Sequence, residues 1–344
     1  MDDKPLLVLH GRFGNQLPML STANVVIHQS QFPESIRRDL LKSLRTRRIN
    51  HKFHYDSVKQ TQKWLTLHEA CSPARNDKDC QVTYDRAFAE SAQHFQRNRV
   101  HVIGLGCGGG QKDVRLLKLL SEAGKEVFYT PSDVSTAMVL VARKAALAVV
   151  SEKNCLPFVC DLVSADNLNS ELDSGCPHRA SRVITFFGMI PNFEPQMILP
   201  KLASLIRSKD WLLFSANLAP GNAYARGMNQ ILPQYDNDLT RDWLMTFLRD
   251  LGVEDRDGAL CFSIEQGQYG LKRVVARYEF KRPMEILIGS NRFKFARGGG
   301  MRVFFSYRYT APRVRNVLQK HELEVCGQWI TKSGEEGVFL CRRH

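Results

Sequence analysis

The stretch Val100-His101-Val102-Ile103-Gly104-Leu105-Gly106-Cys107-Gly108-Gly109-Gly110-Gln111-Lys112 decides how the rest of the chain is read. Val100 to Leu105 has the apolar content of a buried strand, Gly104 to Gly110 is a glycine turn, and the apolar spacing from Lys112 to Ala123 predicts a helix. Strand, glycine turn and helix together outline a cradle for a phosphate or cofactor. The backbone must come within contact distance of such a ligand at a helix N-terminus, where a Cβ would intrude. Gly104, Gly106 and Gly109 also satisfy the G-x-G-x-x-G of dinucleotide-binding folds, a match that is weak alone.

Working outward, a second strand from Val127 to Thr130 closes at Pro131-Ser132-Asp133, and a helix begins near Ser135, whose hydroxyl can cap it. A third strand, Phe158 to Cys160, ends at Asp161, and a fourth, Val183 to Phe187, ends at Gly188. A helix from Gln196 to Arg207 precedes a fifth strand, Trp211 to Ala216. Strands alternating with helices imply an α/β core around a parallel sheet. Asp133 stands where a carboxylate would hold ribose hydroxyls in either cofactor class. Asp161, with Leu162 behind it, places an acceptor where the adenine amine sits in S-adenosylmethionine enzymes, for which a nicotinamide enzyme has no standing need. The bland alternative is that both aspartates cap helices.

After Pro220 the pattern changes to a helix around Arg241 to Leu251 and short strands such as Arg273 to Phe280 and Met284 to Gly289. The last segment reads as a helix from Ala311 to Lys320, a strand from Leu323 to Trp329, a turn at Ser333-Gly334 and a strand from Val338 to Arg342. A closing hairpin on a five-strand α/β core is the ending of a Rossmann-like methyltransferase sheet, mostly parallel and seven-stranded. The expected division is a core of residues 98–219 and 307–344 and an inserted α+β substrate-binding domain of residues 220–306. Residues 1–97, with helical patches at Ser35 to Leu44 and Asp85 to Phe95, would add to the substrate domain.

Of 344 residues, 43% are apolar and 24% charged, which excludes collagen-like, fibrous and wholly disordered chains. The longest weakly charged stretch, Ser135 to Val150, is interrupted by Arg143 and Lys144 and falls short of the roughly 20 residues needed to cross a bilayer. The opening Asp2-Asp3 lacks the basic and apolar regions of a secretory signal, so the expected compartment is the cytoplasm. Nine cysteines with no C-x-x-C pair argue against a disulfide framework or a zinc ribbon, and no metal is expected. The net charge of +13 is concentrated between Arg37 and Lys59 and between Lys272 and Arg302. It fits a solvated basic surface or a patch for an anion or nucleic acid. Nothing in the sequence assigns an oligomeric state.

Several motifs in order carry a resemblance. They are Lys52-Phe53-His54-Tyr55-Asp56, Leu105 to Lys112, Tyr129 to Ser135, Cys160-Asp161-Leu162, Phe187-Gly188-Met189-Ile190-Pro191-Asn192-Phe193, Tyr235-Asp236-Asn237 with Thr240 and Trp243, and Ser306-Tyr307-Arg308-Tyr309. Together they resemble the histidine-specific N-alpha-methyltransferase family of ergothioneine biosynthesis. The resemblance implies S-adenosylmethionine as cofactor, met by Gly104, Gly106, Gly108, Lys112 and Phe187, with Asp133 on the ribose and Asp161 with Leu162 on the adenine. It also implies that Asn192 binds the substrate's amino-acid end, that Tyr235 and Tyr55 face the substrate, and that Ser306 helps to hold an imidazole. In the bland reading Asn192 is a turn residue and the two tyrosines are core aromatics.

The departures from that family bear on substrate. Two residues before the serine the family carries an imidazole-pairing glutamate, where this chain has Phe304. The family's aromatic segment before a proline is here Glu69 to Arg75, so a tyrosine that touches the substrate amine is replaced by Ser72 or Cys71. A site built to pair one ring rejects ligands that leave its polar groups unpaired, so these changes favour an apolar or aromatic group over histidine.

The expected reaction is methyl transfer to a small amino-acid-like amine. Asn192, Tyr55 and Tyr235 act in it as positioning catalytic groups, because deprotonating an amine at pH 7 costs only roughly 1 to 3 kcal/mol and needs no dedicated base. The competing readings are an RNA methyltransferase, a nicotinamide oxidoreductase and a non-catalytic cofactor-binding homologue.

Overall fold

The computed structural model describes residues 22–72 and 76–343; the Asp2-Asp3 opening and residues 73–75 lie outside the described residues. The first half supplies strands β1 (Val26–Ile27), β2 (Arg99–Leu105), β3 (Glu126–Asp133), β4 (Phe158–Val159), β5 (Ser181–Phe187) and β6 (Trp211–Asn217). The second half supplies β7 (Gly258–Gln266), β8 (Lys272–Phe280), β9 (Met284–Ile288), β10 (Asn291–Phe295), β11 (Gly300–Arg308), β12 (Leu323–Ile330) and β13 (Glu336–Arg343). One sheet takes the order β1-β4-β3-β2-β5-β6-β13-β12, with β13 antiparallel to β6 and β12 antiparallel to β13. The seven expected strands are all there, and the two-residue β1 pairs parallel with β4 as an eighth at the edge.

The sheet is covered on both faces, which is why its inner strands read as unbroken apolar runs. Ile103, Ile184 and Leu212 enter one core with the helix Pro195–Leu205. Their neighbours Val102, Val183 and Leu213 enter another, with Tyr84 of the helix Lys78–Ala92 and Leu116 of the helix Gln111–Glu122. That alternation is the two-residue period of a strand. β3 runs three residues beyond the expected Thr130, through Pro131. β4 pairs only with Ser132 and Asp133, so the missing N–H of Pro131 breaks no ladder bond on that side.

A second layer is built from the inserted segment and the N-terminal helices. β11, β8 and β7 form an antiparallel sheet and β9 pairs with β10. Leu44 of the helix Pro33–Thr46, Phe53, and Trp243 and Phe247 of the helix Asp238–Asp250 share a core with Tyr278 and Phe304. The helix Val58–Cys71, absent from the sequence reading, starts at a capping box in which Ser57 and Gln60 bond each other's backbone. Among the described residues no helix is long and apolar enough to cross a membrane.

Candidate active site

The carboxyl ends of β2, β3, β4 and β5 open into a cavity of about 1220 Å³ bounded on its far side by the second layer. Ligand sites in open α/β sheets lie at these strand ends. The turn after β2 has Gly106, Gly108 and Gly110 at φ of +63°, +51° and +75°. A Cβ on Gly106 would stand 2.6 Å from the Met189 side chain, and one on Gly108 3.1 Å from Trp64. Backbone conformation and space both demand glycine there.

Asp133 ties this turn to the next strand: its two carboxylate oxygens accept from the N–H groups of Gly108 and Ser135, both at 3.0 Å. Burial pushes its carboxyl above the usual range, against the pull of those N–H bonds. Asp161 Oδ1 accepts from the N–H groups of Val163 at 3.1 Å and Ser164 at 3.4 Å, while Oδ2 meets Lys52 Nζ at 3.2 Å. Neither aspartate caps a helix: Ser135 caps the one after β3, and the helix after β4 starts only at Leu168. Lys52, bonded also to Asp39 at 2.5 Å, thereby fastens the N-terminal segment to the tip of β4.

Lys112 lines the cavity and donates to Tyr84 OH at 2.6 Å and to Glu336 Oε1, itself in the wall, at 3.3 Å. Burial raises the Glu336 carboxyl, but Lys112 together with hydrogen bonds from Tyr84 and Cys80 brings it below the usual range. Leu162 and Phe187 line the cavity as well. Gly104 does not; it lies within β2, where a Cβ would collide with the Asp113 carboxylate. That carboxylate, buried and accepting from Tyr129 OH and Thr185 Oγ1 at 2.7 Å each, is pushed up to about 6 by desolvation.

Across the cavity stand Tyr55, Asn192, Tyr235, Phe304 and Ser306. Tyr235 OH donates to Ser306 Oγ at 2.9 Å and accepts from Arg308 Nε at 3.1 Å. Phe304 lies 5.8 Å from Trp243 and 6.1 Å from Tyr235, ring centre to ring centre. Tyr55 stands 5.9 Å from Trp64 and 5.5 Å from Trp243. Burial, and then the charge of Asp133, hold the Tyr55 phenol far above its ordinary value, so it stays protonated. Asn192 ends a short turn with its N–H on Met189 O, and its side chain lines the cavity. Cys71 and Ser72 are wall residues too.

Two of the wall residues that the sequence leaves unmarked, Trp64 and His51, bear on the chemistry. Trp64 is carried in by the unread helix, and no pattern in its own neighbourhood marked it. His51 immediately precedes the Lys52 motif and lies 5.1 Å from Phe304. Its Nε2 accepts from Phe305 N–H at 3.4 Å, so Nδ1 carries the proton and has no partner among the described residues. Burial and the neighbouring His54 and Arg302 hold this imidazole well below its ordinary pKa, so it is neutral.

The chain is similar to known proteins. The N-methyltransferase imqF of Aspergillus flavus is 27% identical over 281 residues, covering 77% of this chain and 72% of that protein. Among solved structures, magnesium protoporphyrin IX methyltransferase from Synechocystis PCC 6803 is 14% identical with a TM-score of 0.42, covering 86% of this chain and 98% of that one. The CcbJ methyltransferase of Streptomyces caelestis is 13% identical with a TM-score of 0.39, covering 76% of this chain and 95% of that one. The model of the histidine-specific, S-adenosylmethionine-dependent methyltransferases matches residues 36–343. With nine-tenths of its length inside that match, the chain belongs to the histidine-specific, S-adenosylmethionine-dependent methyltransferase family.

Proposed function

We propose that this S-adenosylmethionine-dependent N-methyltransferase acts on the amine of a small amino-acid-like substrate whose side group is apolar or aromatic. The observation that carries the reading is Phe304, buried among His51, Trp243 and Tyr235 at the position where the family resemblance expects an imidazole-pairing glutamate. A charged partner for a histidine ring is replaced there by an aromatic surface.

The residues present fit the cofactor. Two buried carboxylates stand at the tips of adjacent strands, beside a turn that has no room for a Cβ. Asp133 would hold the ribose, Asp161 and Leu162 the adenine, and Lys112 with the glycine turn the remaining end. When bound, S-adenosylmethionine supplies a methyl group on a sulfonium that an amine lone pair can take.

The protein's own groups do the positioning. Arg308 donates to the Tyr235 oxygen, so the Tyr235 proton points at Ser306, and the Ser306 proton is left to donate to an acceptor on the substrate. Asn192, in the turn after β5, would bind the amino-acid end. Neither Tyr55, held protonated, nor His51, held neutral with its Nε2 occupied, serves as a base for an ammonium. The amine therefore enters neutral, at roughly 1 to 3 kcal/mol at pH 7, well within what alignment supplies. The rings of Trp64, Tyr55 and Trp243 give the resulting cationic product a favourable surface.

The test is incubation of the purified protein with isotope-labelled S-adenosylmethionine and a panel of free amino acids and derivatives, read by mass spectrometry. Methyl gain on phenylalanine-like or other apolar amines, above that on histidine, supports the reading. Preferential methylation of histidine, or of RNA, overturns it.

A further inference from the structure

The two basic stretches set apart by the sequence, residues 37–59 and 272–302, meet in a second pocket of about 330 Å³. It is lined by Arg47, Arg48, Arg273, Arg277 and Arg302, with Glu265 as the carboxylate. The backbone forces this meeting. Arg48 pairs with Arg302, Ile49 N–H donates to Arg302 O at 2.8 Å, and Arg302 N–H donates to Arg47 O at 2.9 Å. On the other side Arg302 stands directly opposite Arg277 in the β11–β8 ladder. Three arginines thus occupy neighbouring positions on three adjacent segments, an arrangement that like charges disfavour and that the single pocket carboxylate, Glu265, offsets only in part.

The carboxylates within reach are already shared. Glu265 accepts from Arg277 at 2.7 Å and from Arg273 at 3.3 Å. Glu194, beneath the pocket, accepts from Arg273 at 2.7 Å and Tyr307 at 2.6 Å and lies 3.5 Å from Arg302. Arg302, only 8% exposed, and Arg273 each keep a buried Nε–H without an acceptor among the described residues. Desolvation first, and then Arg273 and Arg48 beside it, lower the Arg302 pKa against the pull of Glu194 and Glu265.

We propose that this pocket, distinct from the methyl-transfer cavity, binds a phosphate-type oxyanion: inorganic phosphate or pyrophosphate, or the phosphoryl group of a small metabolite. Guanidinium forks match such oxygens in pairs. A volume of about 330 Å³ exceeds by roughly tenfold the ~30 Å³ share of one water, enough for a phosphoryl group and a small attachment. The site also touches the active-site loop, since Glu194 follows Asn192 and Phe193, both in the cavity wall.

The test is calorimetric titration of the full chain with sodium pyrophosphate at constant ionic strength. S-adenosylhomocysteine is present at saturation so that the main cavity is filled, and sodium acetate serves as the control titrant. Saturable binding that weakens at least tenfold in Arg48→Glu/Arg277→Glu, two exposed positions, supports the site. Arg48→Gln alone, with its unfolding temperature checked, serves if the double variant does not fold. Absence of saturable heat, equal affinity in a folded variant, or salt-steep binding of an RNA oligonucleotide without binding of pyrophosphate overturns it.

Discussion

Tyr235 OH donates a hydrogen bond to Ser306 Oγ at 2.9 Å while its oxygen accepts one from Arg308 Nε at 3.1 Å. The chain has one direction, from a guanidinium in β11 through the insert's tyrosine to a serine two residues before that guanidinium. It leaves Ser306, 2% exposed, with a proton to give and places that proton in the cavity wall. Hydrogen bonds linked to a charged donor contribute roughly 1.5 to 3 kcal/mol. Tyr235→Phe should therefore raise KM for the amine about 10- to 100-fold while leaving the affinity for S-adenosylhomocysteine within about twofold. Initial rates and calorimetry on the same protein check both halves, and a matched loss of cofactor affinity would relocate Tyr235.

Asp133 has a second duty besides meeting a ligand, since its oxygens fix Gly108 and Ser135. Asp133→Ala leaves the buried Ser135 N–H unpaired, at about 1 to 3 kcal/mol, frees the half-buried Gly108 N–H as well, and removes the proposed ribose partner. Calorimetry should show no cofactor binding, and denaturant unfolding a clear loss of stability. Unchanged cofactor affinity would displace the site from the carboxyl tips of β3 and β4.

The pH dependence of the rate should belong to the substrate. Tyr55 is held protonated and His51 neutral across the neutral range, so neither titrates between about pH 7 and 9. The rising limb of kcat/KM should follow the pKa of whichever amine is supplied, and His51→Gln should lower the rate without moving the limb. Profiles measured with two acceptors of different basicity settle it: a limb fixed for both would mean a protein base.

Asp113 gives a pH effect on stability with the opposite source. Its folded pKa of about 6 lies above the ~3.9 of an unfolded aspartate, so its contribution is fully present below about pH 4 and is lost as pH rises through 6. Relative to Asp113→Asn, the wild type should lose roughly 2 kcal/mol between about pH 4 and pH 7. Urea unfolding of both proteins across that range reads the difference directly, and a flat difference would mean that Asp113 is ionised without penalty.

Local pattern carried the core, and long-range register hid the rest. The glycine turn, the carboxylates ending β3 and following β4, and the closing hairpin announce themselves within a few residues of sequence each. The run of β3 through Pro131 is not legible locally, because proline cannot donate to a ladder, and the late start of β4 permits it here. Trp64 reaches the cavity by packing of a helix against the glycine turn, and His51 by pairing of its imidazole with a strand more than 250 positions away. The meeting of Arg48, Arg302 and Arg277 is likewise a matter of which segments become neighbours, which charge counted along the chain does not show.

Phe304 offers the sharpest check on substrate choice. It is 7% exposed and surrounded by His51, Trp243 and Tyr235, so a carboxylate placed there is desolvated and remains charged only with a cationic partner. An imidazolium-bearing amine supplies that partner; an apolar one leaves the charge alone. Phe304→Glu should therefore lower stability by about 2 to 4 kcal/mol without ligand and shift the kcat/KM ratio of histidine to an apolar amino acid at least tenfold toward histidine. Phe304→Leu, apolar and smaller, controls for lost volume and should weaken the apolar substrate without any gain for histidine. Competition assays with both amines in one vessel give the ratio free of enzyme concentration, and an unchanged ratio in Phe304→Glu would place the side-group pocket elsewhere in the cavity.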